Sequence, residues 1–77
     1  MDFKTLNELK PGENAKIYSL LSKGTIRRRL LDIGLTENSY VECIGKSPLG
    51  DPKAFLIRGA VIAIRSDDLK NILIYPK

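Results

Sequence analysis

No apolar stretch in this chain runs longer than five residues, and glycines and prolines punctuate the segments between them. The longest is 60–64. A bilayer-crossing helix needs about 20 apolar residues, whereas ordinary strands are about five or six long. The pattern therefore favours a small sheet built from short strands. A sheet this short cannot leave its edges open safely, so closure into a barrel is the economical arrangement. With 77 residues, the chain fits one domain, and a domain of this size buries only about 60% of its unfolded surface. Its core is expected to be thin, with little space for a deep, dry pocket.

The element order follows from local signals. Residues 6–13 read as an entry segment ending in the Pro11-Gly12 turn, with Leu6 and Leu9 anchoring it to the core. Alternation then predicts strands over 15–20, 40–44, 54–57, 60–64 and 72–75. Between the first two, Ile26, Leu30 and Ile33 share one helical face, which predicts a helix over 25–33. Thr25 is its expected N-cap, Gly34 its left-handed terminus and Leu35 the accompanying hydrophobic contact. Asn38 and Gly50 belong to turns, and Arg58-Gly59 makes a tight hairpin. Ser66 is expected to cap a helical turn near 66–70, where Asp67 and Asp68 suit the positive end of a helix dipole. Five strands with one inserted helix describe a mostly β, SH3-like barrel spanning residues 1–77.

The inventory narrows the chemistry. There is no histidine, so the commonest general base and metal ligand is missing. The single cysteine, Cys43, cannot form an internal disulfide and shares a strand face with Val41, where it reads as a buried small hydrophobe. One thiol cannot build a structural zinc site, and adjacent Asp67 and Asp68 are far from a calcium cage. The expectation is no catalysis, no metal site and no cofactor. The first residues lack the basic and then apolar layout of a signal peptide. With that and no spanning segment, a cytoplasmic protein without direct membrane insertion is expected.

Three features look functional. Arg27, Arg28 and Arg29 lie in the first turn of the helix, where positive charge opposes the dipole by about 0.3–1 kcal/mol each. They form either a solvated basic face or a contact surface for an acidic partner. Leu49, between Pro48 and Gly50, either folds back on the core or meets a partner. Leu56 and Val61 point outward if Phe55, Ile57, Ile62 and Ile64 point inward, and are expected to pack under the helix. The expected partner surface lies where Arg27, Arg28 and Arg29 meet Pro48, Leu49 and Asp51, while Gly12, Gly34, Asn38, Gly50 and Gly59 are structural turns.

The ordered set Leu6-x-x-Leu9-x-Pro11-Gly12-Glu13, 28–35 (RRLLDIGL), Pro48-Leu49-Gly50-Asp51-Pro52, Arg58-Gly59 and Ala63-Ile64-Arg65 resembles the FeoA family, and the resemblance runs through nearly the whole chain. It implies an SH3-like barrel with a helical insertion, similar to the domain that ends repressors of the DtxR type. The DNA-binding domain that precedes it there has no counterpart in this chain, so a free-standing FeoA is expected. The implied role is accessory to bacterial ferrous iron uptake, through the membrane protein FeoB and its cytoplasmic GTP-binding region. Transition-metal binding is attached to the domain at family level. Two positions depart from the family pattern: Asn38 replaces a glycine, and Lys53 a β-branched residue. The alternatives are a small nucleic-acid-binding barrel or a metal-responsive binding domain. The first leans on the arginine run and a net charge of +4. The charges are mostly dispersed and the five aromatics few, so no nucleic acid is expected.

Overall fold

The computed structural model describes residues 3–75. Strand β1 (Lys4–Thr5) leads into a 3-10 turn (Leu6–Glu8), followed by β2 (Asn14–Leu20) and helix α1 (Gly24–Asp32). Then come β3 (Tyr40–Lys46), β4 (Lys53–Ile57), β5 (Ala60–Ile64), helix α2 (Ser66–Leu69) and β6 (Ile72–Ile74). The strands form one antiparallel sheet in the order β1-β6-β2-β3-β4-β5.

Strand β2 serves two neighbours. Residues 14–16 pair with β3, whereas 17–20 pair with β6, across a register shift between Ile17 and Ser19. A second shift lies between Cys43 and Gly45, where β3 pairs with β4. Each irregularity bends its strand and increases the local twist, which curls the short sheet towards a barrel.

The core is the inward half of each alternation. Ile17, Cys43, Phe55, Ile57 and Ile72 are fully buried, joined by Leu6, Leu35 and Leu69 from the turn and helix regions. Cys43 and Val41 lie inside as the alternation requires. Leu6 and Leu9 anchor the entry segment. The 3-10 turn is held by a reciprocal cap, in which the Thr5 N–H donates to the Glu8 carboxylate over 2.8 Å.

Gly34 ends α1 in the left-handed region, with φ of +105°. Its N–H donates to the Leu31 carbonyl, and the Leu35 N–H donates to that of Leu30, both over 3.0 Å. These are the two bonds of a Schellman terminus. Asn38 (φ 69°) and the Arg58-Gly59 pair (φ 50° and 82°) adopt the positive φ expected of their turns.

Three local expectations are corrected. Thr25 does not cap α1: the helix begins at Gly24, so the N-cap is Lys23, two residues earlier, without a side-chain hydrogen bond. Ser66 is not the cap of α2 either; Arg65 holds that position, and Ser66 uses its own N–H on Asp51. Leu56 and Val61 do not lie under α1 but remain 37% and 64% exposed. The helix instead covers the core with Leu30, Leu31 and Ile33, leaving the outer face of β4 and β5 open. Lys53 opens β4. Its ammonium donates to the carbonyls of Asn7 and Leu9 (3.3 Å to the latter), joining β4 to the 3-10 segment where no ladder closes the barrel.

Candidate functional site

The three arginines of α1 diverge because successive helical residues lie about 100° apart. Arg27 turns back to donate from Nη1 to the Leu20 carbonyl over 2.9 Å, tying the helix to the end of β2. Arg28 reaches Asp32, four residues on, at 4.0 Å, with both side chains largely exposed. A pair so solvated contributes only tenths of a kcal/mol. Arg29 points the other way and lines a groove between α1 and β5, with Leu30 and Ile33 on one wall and Ile62 and Ala63 on the other. Arg65 and Asp68 border the same groove. The expectation that all three arginines oppose the helix dipole is corrected: α1 begins at Gly24, so Arg29 falls in its last turn, where positive charge complements the dipole.

The loop between β3 and β4 is stapled twice. The Gly50 N–H donates to Ser47 O over 2.8 Å, and Ser47 Oγ donates to Asp51 O over 2.7 Å. Gly50 takes positive φ (86°), as Gly12 does (92°) at the earlier turn. Asp51 then accepts from the Ser66 N–H (2.8 Å) and the Ser66 hydroxyl (3.3 Å), so its carboxylate fixes the loop to the start of α2. This framework holds Leu49 away from the core at 94% exposure, next to exposed Pro48.

The expected site residues thus fall into separate groups. Asp51, α2 and Arg29 line up through Ser66 and the groove beside Asp68. Arg27 and Arg28 border a different depression, with Gly24 and Thr25.

Sequence reasoning missed an aromatic cluster. Phe3 stacks on Tyr18 at 4.0 Å between centroids, and Tyr18 meets Tyr75 edge-on at 5.2 Å. The Lys16 ammonium lies 5.4 Å from the Tyr75 ring and 5.8 Å from that of Tyr40. The i, i+2 spacing of Lys16 and Tyr18 places them on one face of β2, but nothing local brings both chain ends to it. Among the described residues, no three His, Cys, Asp or Glu side chains gather where they could hold a metal ion. No helix of the described residues is long and apolar enough to cross a membrane.

Comparison with known proteins places this geometry. A curated relative from Porphyromonas gingivalis, a fusion of Fe(2+) transport protein A with the Fe(2+) transporter FeoB, is 28% identical over 67 residues, covering 87% of this chain. The chain spans 8% of that fusion protein's length. The solution structure of a FeoA protein from Chlorobium tepidum superposes with a TM-score of 0.88 at 30% identity, covering 94% of this chain and 69% of that one. The crystal structure of Stenotrophomonas maltophilia FeoA complexed with zinc, described as a prokaryotic SH3 domain protein, gives 0.83 at 25% identity, over 94% and 89% of the two chains. A manganese-dependent transcriptional repressor shares the fold alone, with a TM-score of 0.81 at 14% identity, over 94% of this chain and 40% of that one. The family model for the FeoA domain matches residues 4–76. With its six-stranded SH3-like barrel and single inserted helix, this chain belongs to the FeoA domain family, which is associated with ferrous iron transport.

Proposed function

We propose that this chain is a cytoplasmic accessory protein of ferrous iron uptake that acts by binding the FeoB transporter rather than by catalysis. The observation that carries the reading is the relative in which a similar domain and FeoB share one polypeptide. A covalent link between two modules raises their effective concentration and favours a contact that two separate chains must form on their own. The proposed contact surface centres on the stapled loop carrying Pro48, Leu49 and Asp51 and on Arg29 in the groove beside α2, with Arg27 and Arg28 adding basic contacts from a separate face of α1. Leu49 suits an apolar anchor, because it is exposed on a loop already held rigid and its immobilisation on binding costs little.

Titration of the FeoB cytoplasmic GTP-binding region with the purified chain tests the reading. Binding is expected, with Leu49→Ala lowering affinity about tenfold (1–2 kcal/mol) at an unchanged melting temperature. Arg28→Glu should slow association, and less so at high salt, since exposed charges act by steering. Absence of binding to both the soluble region and the detergent-solubilised transporter refutes the partner. Binding that neither substitution alters refutes the surface.

A further inference from the structure

The structure assigns a second interaction surface to the free edge of β5: we infer that it takes an extended, acidic segment of a partner protein as an added strand. Among the described residues, strand β5 ends the sheet and pairs only with β4. The Arg58-Gly59 hairpin sets which groups are free. Ile57 and Ala60 flank its two-residue turn as a hydrogen-bonded pair, and the alternation makes Phe55–Ile62 and Lys53–Ile64 the next such pairs. The N–H and C=O groups of Val61 and Ala63 therefore point away from β4, and no backbone or side-chain group of the described residues bonds to them. Natural edge strands are usually blunted by lysine, proline, a bulge or an inward charge. Residues 60–64 (AVIAI) carry no charge and no proline, and Val61 is 64% exposed.

Charge selects the occupant. The groove beside this edge is bordered by Arg29 and Arg65, both exposed, against a single half-buried acid, Asp68. Arg58 stands at the other end of the strand, its stem against Gly34. Two copies of this chain fit less well. Pairing Val61 with Ala63 of a second copy brings Arg65 opposite the other copy's Gly59, beside its Arg58, between chains that each carry a net charge of +4. An acidic strand instead meets three arginines while its main chain satisfies Val61 and Ala63, the recognition mode known as β-augmentation. It needs only the edge and its flanking charges, so it holds for any partner of that chemistry.

The probe is a synthetic heptapeptide alternating glutamate with valine, added to the isotope-labelled chain and followed by amide chemical shifts and hydrogen exchange. The expected result is saturable binding with shifts centred on β5 and at least tenfold slower exchange at the Val61 and Ala63 amides. Ala63→Pro removes one edge-facing donor while sparing the ladder to β4, and should abolish binding with the fold intact by amide spectrum. A peptide N-methylated at alternate residues should not bind, and Arg29→Glu combined with Arg65→Glu should weaken binding at least tenfold. If Ala63→Pro does not fold, the N-methylated peptide alone decides. Absence of shifts at millimolar peptide, equal binding of a lysine–valine peptide, binding that survives N-methylation, or concentration-dependent self-pairing through β5 in the free chain each overturns the assignment.

Discussion

Replacing Gly34 separates backbone strain from steric conflict at the end of α1. Gly34 sits at φ +105°, and an added Cβ would come 2.7 Å from Cδ and 3.0 Å from Nε of Arg58. Those atoms belong to an exposed, flexible side chain that can swing aside, so the contact itself is cheap. The conformation is not. An L-residue in the left-handed region costs about 1–2 kcal/mol. A φ this far beyond the usual value of about +57° pushes a branched side chain to about 3 kcal/mol. Asparagine, which tolerates the region best, should cost about 1 kcal/mol. The total stability of a chain this size is about 4–12 kcal/mol, taking 0.05–0.15 per residue. At about 4–8 °C per kcal/mol, Gly34→Asn should lower the melting temperature by about 4–8 °C and Gly34→Val by roughly three times as much. Thermal melts followed by circular dichroism measure both, and urea titration checks that the m-value is unchanged. Repeating both in an Arg58→Ala background isolates the contact, since the losses should persist there. Equal losses for asparagine and valine, or a valine loss that vanishes without the Arg58 side chain, refute the backbone argument.

Lys53→Met keeps the stem of the side chain but leaves the Asn7 and Leu9 carbonyls without their donor, and should cost about 1–3 kcal/mol in denaturant titration. A neutral result means that closure does not depend on that ammonium. Asp51→Ala should cost about 1 kcal/mol and speed exchange of the Ser66 amide, whose acceptor it removes; unchanged exchange would place the staple elsewhere. Anaerobic calorimetry with ferrous iron should reveal no stoichiometric submicromolar site, given a chain without histidine and a cysteine fully buried in the core. A tight one-to-one isotherm refutes that expectation.

Much of the fold is written locally. The 2.0 and 3.6 periodicities place Phe55 and Ile57 inside and mark α1, and the positive-φ positions at Gly34, Asn38 and Gly59 are legible because few residues tolerate that conformation. Caps were less legible. Thr25 and Ser66 have the right chemistry, but the chain's entry angle and the reach of Asp51 decide who uses it. The candidate site was legible as residue types and not as a place. Three adjacent arginines read as one basic patch, yet helical rotation sends Arg27 to a carbonyl, Arg28 to Asp32 and Arg29 to a groove. What no local signal carries is the meeting of distant segments. Phe3 reaches Tyr18 and Tyr75, Lys53 crosses to the 3-10 turn, and β5 is left at the sheet's edge only once the strand order is set. Periodicity reports the environment each residue prefers; which neighbour supplies it depends on chain closure over long loops and on packing, which exist only in the tertiary structure.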